Sequence, residues 1–109
     1  MSQRKIKQIV SFISIYLKNQ GIILNKLILF GSYAQGTSTK DSDVDLAIVS
    51  KEFSGKDIFQ RADMLVDLHW ALVKKFKLPF DVVSISLDEW KKSSSLVVGF
   101  AKQGKNLLT

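Results

Sequence analysis

Three aspartates and one glycine–serine pair are the residues of this 109-residue chain whose types and spacing could do chemistry. Asp43 and Asp45 open a segment, Asp43–Val49, in which Val44, Leu46 and Ile48 alternate with Asp43, Asp45, Ala47 and Val49, the period-two pattern of a strand. Residues two apart on a strand project from one face with about 6.6 Å between their Cα atoms, so both carboxylates can converge on one cation cluster. Two like charges on the half-buried face of an apolar strand are costly without a compensating cation, and hard oxygen ligands suit Mg²⁺ or Mn²⁺. Asp81, near the start of a later β-branched segment, would sit beside the pair if the two strands are neighbours, giving a third ligand.

Upstream, Gly31 and Ser32 follow the apolar run Leu27–Phe30 and open a short helix through Tyr33, Ala34 and Gln35 to Gly36. A strand, a glycine turn and a helix start gather free backbone N–H groups and the positive end of a helix dipole, which suits phosphate. Glycine at 31 lets the backbone approach that anion closely, and the Ser32 hydroxyl can donate a further hydrogen bond. Ten residues, Tyr33 to Ser42, separate this turn from the aspartate pair. A phosphate cradle beside metal ligands is the equipment for metal-assisted transfer from a nucleoside triphosphate.

The elements that must hold these groups are legible from periodicity. Ile6, Ile9, Val10, Ile13, Tyr16 and Leu17 follow the spacing of an amphipathic helix that stops at Gly21, and Leu27–Phe30 reads as a strand buried on both faces. Ile58 to Phe76 keeps helical spacing over about five turns, and Pro79 separates it from a third strand, Phe80–Ile85. Ser86 and Glu89 form a capping-box signature that starts one final helix carrying Trp90, Leu96, Val97 and Phe100 before Gly104. Helices and strands interleave, so the expected fold is a small α/β or α+β domain, a short sheet covered by helices, occupying residues 1–109 as one unit.

Hydrophobic residues at 46% and charged residues at 24% exclude a disordered chain, and the absence of cysteine excludes disulfides, thiolate metal sites and sulfur redox chemistry. The net charge of +6 comes from 14 Lys and two Arg spread along the chain, which reads as a solvated surface; nucleic acid is not the expected partner. No apolar run approaches the ~20 residues of a membrane span, and a soluble protein of the cytoplasm is expected. Gly31 and Gly36 have P-loop spacing, but Thr37 stands where the lysine is required. Asp41, Asp43, Asp45 and Glu52 match calcium-loop positions, yet Leu46 replaces the turn glycine inside a strand-like run. His69 lies on the apolar side of its helix and reads as a packed, hydrogen-bonded histidine outside the site.

The string GSYAQGTSTKDSDVDLAIV, Gly31 to Val49, with Asp81 behind it, resembles the signature of the polymerase-β-like nucleotidyltransferase superfamily: Gly-Ser, ten residues, Asp-x-Asp, then a carboxylate on a later strand. The short chain is similar to the minimal nucleotidyltransferases, often the antitoxin partners of small helical HEPN-domain toxins. The resemblance implies a small nucleotidyltransferase fold with a short mixed sheet flanked by helices. It also implies transfer of a nucleoside monophosphate, AMP from ATP, to a hydroxyl. In that scheme Asp43, Asp45 and Asp81 are catalytic and hold two Mg²⁺ (or Mn²⁺) ions, Gly31 and Ser32 hold the phosphates, and a HEPN-type toxin offers a tyrosine hydroxyl. Two rival readings stay open: an antitoxin that neutralises its partner by contact alone, and a homodimer that builds a small-molecule pocket between subunits. Gln35 departs from the basic residue of many relatives, with Lys40 as the candidate substitute.

Overall fold

The computed structural model describes residues 1–93 and 95–108. Helix α1 (Gln3–Asn19) starts where the Ser2 side chain accepts from Lys5 N–H and buries the stripe Ile9, Ile13 and Leu17. Strand β1 (Lys26–Phe30) leads through Gly31 into the single-turn helix α2 (Ser32–Gln35), and a loop leads to β2 (Val44–Ser50). After a 3₁₀ turn at Lys51–Phe53, helix α3 (Ile58–Phe76) begins with a full capping box between Asp57 and Gln60. It ends at Lys77 in the left-handed conformation, before β3 (Phe80–Ser86). The capping box of Ser86 and Glu89 starts α4 (Leu87–Lys92); α5 (Leu96–Lys102) and β4 (Lys105–Asn106) follow.

The sheet is mixed, in the order β3-β2-β1-β4: β1 is antiparallel to β2 and β4, and β2 is parallel to β3. A parallel pair needs a crossover, and α3 supplies it. Both faces are covered, which explains why β1 reads as a continuous apolar run and why β2 beyond Asp45 is buried on both faces. Leu27, Leu29, Val44, Leu46 and Ile48 pack with the buried residues of α1 and α3, including Ile13, Leu68 and Leu72. Ile28, Ala47, Val49 and Ile85 pack on the other face against Val98 and Ala101 of α5.

Three expectations need correction. Asp43 is not in the strand; it is the residue before it, because pairing with β3 begins at Val44. The single final helix is two helices, broken after Lys92 where Ser93 adopts φ 52°, and the expected span also crossed Ser94, outside the described residues. Gly104 is followed by a strand, β4, that the short segment Lys105–Asn106 gave no pattern to reveal.

Candidate active site

Register places the candidate groups at one end of the sheet. Asp45 lies opposite Phe30 across the antiparallel pair and opposite Asp81 across the parallel pair. Gly31 follows Phe30, so the turn into α2 begins next to Asp45. The contact is tight: a Cβ on Gly31 would overlap Asp45 Oδ2 and come within 3.0 Å of its Cγ. The backbone there has φ 73° and ψ −154°, a region open essentially to glycine alone. Ser32 opens α2, whose turn is closed by Ala34 and Gln35 N–H groups donating to Gly31 C=O, both at 3.1 Å.

Asp43 is exposed and closes a loop braced by Thr39 N–H donating to Ser42 Oγ at 2.8 Å. Immediately after it, Val44 N–H donates to Pro79 C=O at 2.8 Å, which fixes the start of β2 against the start of β3. On the sheet face shared by Ala47 and Ile85, α5 covers the far end and leaves this end open: Asp45 is half-buried and Asp81 exposed. The Asp45 carboxyl is pushed above its ordinary value by burial first, then by the negative charges of Asp81 and Asp43. Both other aspartates therefore act on Asp45.

A divalent cation fits the donor chemistry, since the set is all carboxylate oxygen and carries uncompensated negative charge. It is not a preassembled cage: among the described residues no three acidic, histidine or cysteine side chains are gathered as a metal site. Like charges without a countercharge are expected to stay apart. Gln35 is the last residue of α2 and Lys40 stands in the exposed loop beyond it.

His69 is, as expected, a bonded packing histidine. Its Nε2 stands 2.9 Å from Phe80 C=O, and since a carbonyl only accepts, Nε2 carries the proton. That bond braces the residue before Asp81, a role the sequence hides because the partners are 11 positions apart on different elements. Also hidden is Arg61, whose guanidinium pairs with Glu89 and whose Nε–H donates to Lys56 C=O at 2.9 Å, tying α3 to α4.

Residues 4–104 match the family model described as a nucleotidyltransferase domain, and the chain belongs to that family. Among curated proteins no match is found. The fold is similar to a crystal structure from Sulfolobus solfataricus described as a candidate nucleotidyltransferase, with TM-score 0.66 and 18% identity, over 94% of this chain and 78% of that one. It is also similar to a chain of a toxin–antitoxin structure with AMP-PNP, with TM-score 0.58 and 27% identity, over 89% of this chain and 70% of the other. A mutant toxin–antitoxin MntA-HpeT structure matches with TM-score 0.57 and 24% identity, over 98% and 73% of the two chains.

Proposed function

We propose that the chain transfers AMP from ATP to a hydroxyl on a partner protein, releasing pyrophosphate. The observation that carries this reading is the register that sets Asp45 beside Asp81 with Gly31 pressed against the Asp45 carboxylate. Family membership supports nucleotidyl transfer, the neighbour holding AMP-PNP supports an adenine nucleotide, and the toxin–antitoxin neighbours support a protein acceptor, here a HEPN-type toxin.

Asp43, Asp45 and Asp81 would hold Mg²⁺ or Mn²⁺, which when bound neutralises triphosphate charge and lowers the pKa of the attacking hydroxyl. The Gly31 backbone and Ser32 hold the β- and γ-phosphates, so the α-phosphorus is presented at the open end of β2 and β3. The acceptor oxygen forms a bond to that phosphorus, the bridging P–O bond to pyrophosphate breaks, and the hydroxyl proton passes to the Asp81 carboxylate. His69 keeps the start of β3 in place while this occurs.

Incubation with labelled ATP, Mg²⁺ and the partner should label the partner with the native chain and not with Asp43→Asn/Asp45→Asn. Equal labelling by both proteins defeats the mechanism. Neutralisation of the partner by both proteins, with no label from either, supports action by contact alone.

A further inference from the structure

β3 is the outermost strand on its side, and its outer edge is open. The opposite edge is closed by β4, which pairs with Ile28 and Leu29, and by Leu107 N–H donating to Leu27 C=O. Edge strands are ordinarily blunted by proline or charge, because a row of unpaired backbone groups is a template for another chain. The stretch Val82–Ile85 contains neither.

Which groups face outward follows from the ladder. Val44 N–H bonds Pro79 C=O, and Val44 lies opposite Phe80 in a parallel register. Both backbone groups of a strand residue point the same way and successive residues alternate, so Pro79, Asp81, Val83 and Ile85 bond to β2. Phe80, Val82, Ser84 and Ser86 turn outward. The ends of that row are closed from within: Phe80 C=O accepts from His69, and Ser86 N–H donates to Glu89 Oε1 at 2.9 Å. Val82 and Ser84 are left, with no protein partner for their backbone groups among the described residues.

These groups lie on the floor of a groove of about 780 Å³, walled by Ile58, Ala62 and Val66 of α3 and by Val97 and Val98 of α5. Ile58 is 75% exposed, Val66 45% and Val97 44%, so both walls present apolar surface to solvent. The groove is electrostatically polar along its length. Lys56, whose ammonium donates to Glu52 C=O at 2.8 Å, stands at the Ser86 end beside the Arg61–Glu89 ion pair, and Asp81 stands at the other.

We propose that this groove seats an extended segment of a partner protein, which adds to β3 as a further strand. Only another main chain offers donors and acceptors at strand spacing, and apolar walls take its alternate side chains. Charge complementarity orients it: an acidic residue against Lys56, a hydroxyl-bearing residue against Asp81. A second copy of this chain fits less well, because its own edge is recessed between the same walls and each copy carries a net +6. The role of that hydroxyl as acceptor rests on the transfer reading above; the docking does not.

The test separates the two. A seven-residue peptide of alternating valine and threonine, with glutamate at one end and tyrosine at the other, is titrated into ¹⁵N-labelled protein without nucleotide or divalent cation. Amide exchange at Val82 and Ser84 should slow about tenfold or more at saturation, and the same peptide N-methylated at alternate amides should not bind. Val82→Pro removes an outward N–H and no ladder bond, and should weaken binding about tenfold. Val97→Asp, on the wall, should do the same without touching the strand, whereas Asp43→Asn/Asp45→Asn should bind as the native chain does. Equal binding of the methylated peptide, protection elsewhere, or no binding up to about 1 mM overturns the proposal. So does concentration-dependent protection of Val82 and Ser84 in the protein alone, which would give the groove to a second copy. With labelled ATP and Mg²⁺ added, docking without labelled tyrosine defeats the transfer reading and leaves the docking standing; labelled tyrosine without protection at Val82 does the reverse.

Discussion

Gly31 carries more of the site than its lack of a side chain suggests. Its backbone conformation calls for glycine, and a Cβ there would push the Asp45 carboxylate out of place. Gly31→Ala should lower the unfolding free energy by about 1–3 kcal/mol, read from urea denaturation, as the cost of the strained backbone. Transfer activity should fall further than that loss of stability accounts for, because the methyl displaces Asp45 itself; activity unchanged in a folded Gly31→Ala protein would remove Asp45 from the chemistry. The residue scale is also where the sequence was most informative. The spacing of Gly31, Ser32, Asp43 and Asp45 is local, and alternation along a strand fixes which way neighbours point. Asp81 was placed only conditionally, since nothing local says that two strands are adjacent; the parallel register supplies that fact.

Among the elements, those with a long or sharply bounded apolar pattern were readable, and those held by contacts distant in sequence were not. The period of α3 is unbroken from Ile58 to Phe76, and its expected span coincides with the observed helix. Among the described residues, the break after α4 is marked by a left-handed serine, Ser93, which carries no glycine signal. β4 exists because Gly104 lets the chain pass close over β1; a Cβ there would strike Leu29 C=O and lie 2.9 Å from Ile28 Cγ2. The Ser86–Glu89 capping box was legible, but not its tie to Arg61. Burial alone would raise the Glu89 carboxyl, yet hydrogen bonds from Ser86 and the hydrogen bond and charge of Arg61 outweigh it and hold the group below its ordinary value. A lowered carboxyl contributes stability above its unfolded pKa, and that contribution is lost as pH falls through the folded one. Glu89→Gln should therefore destabilise the protein near pH 7 by less than about 1 kcal/mol, because Glu89 is partly solvated, and the difference from the native chain should shrink as pH falls from 7 through the carboxylate range. Melting temperatures measured across that range decide it; a difference that persists undiminished at low pH would assign the effect to shape and not to charge.

At the scale of the whole molecule, two fields of opposite sign meet at the site. The chain carries a net +6, and among the described residues its only ion pair is Arg61–Glu89, so most of the positive charge is spread in solvent and draws polyanions from any direction. The end of the sheet where a triphosphate would bind is locally negative, with Asp45 already under the charges of Asp81 and Asp43. Long-range attraction is screened beyond about 10 Å at ordinary salt, whereas in the proposed binding mode the aspartates would act at short range on the phosphates, so the local field would decide binding. That makes the effect of removing an aspartate change sign with the divalent cation. In chelator, Asp45→Asn deletes a like charge near the triphosphate, worth on the order of 1 kcal/mol at an effective dielectric between protein and water, and should bind ATP about fivefold more tightly than the native chain. With Mg²⁺ present the same substitution would remove a proposed cation ligand, and should bind ATP more weakly than the native chain. Calorimetric titration of both proteins under both conditions is sufficient. A substitution that weakens ATP binding equally with and without the cation would mean that Asp45 serves the fold, and that the three carboxylates were never a cation's ligands.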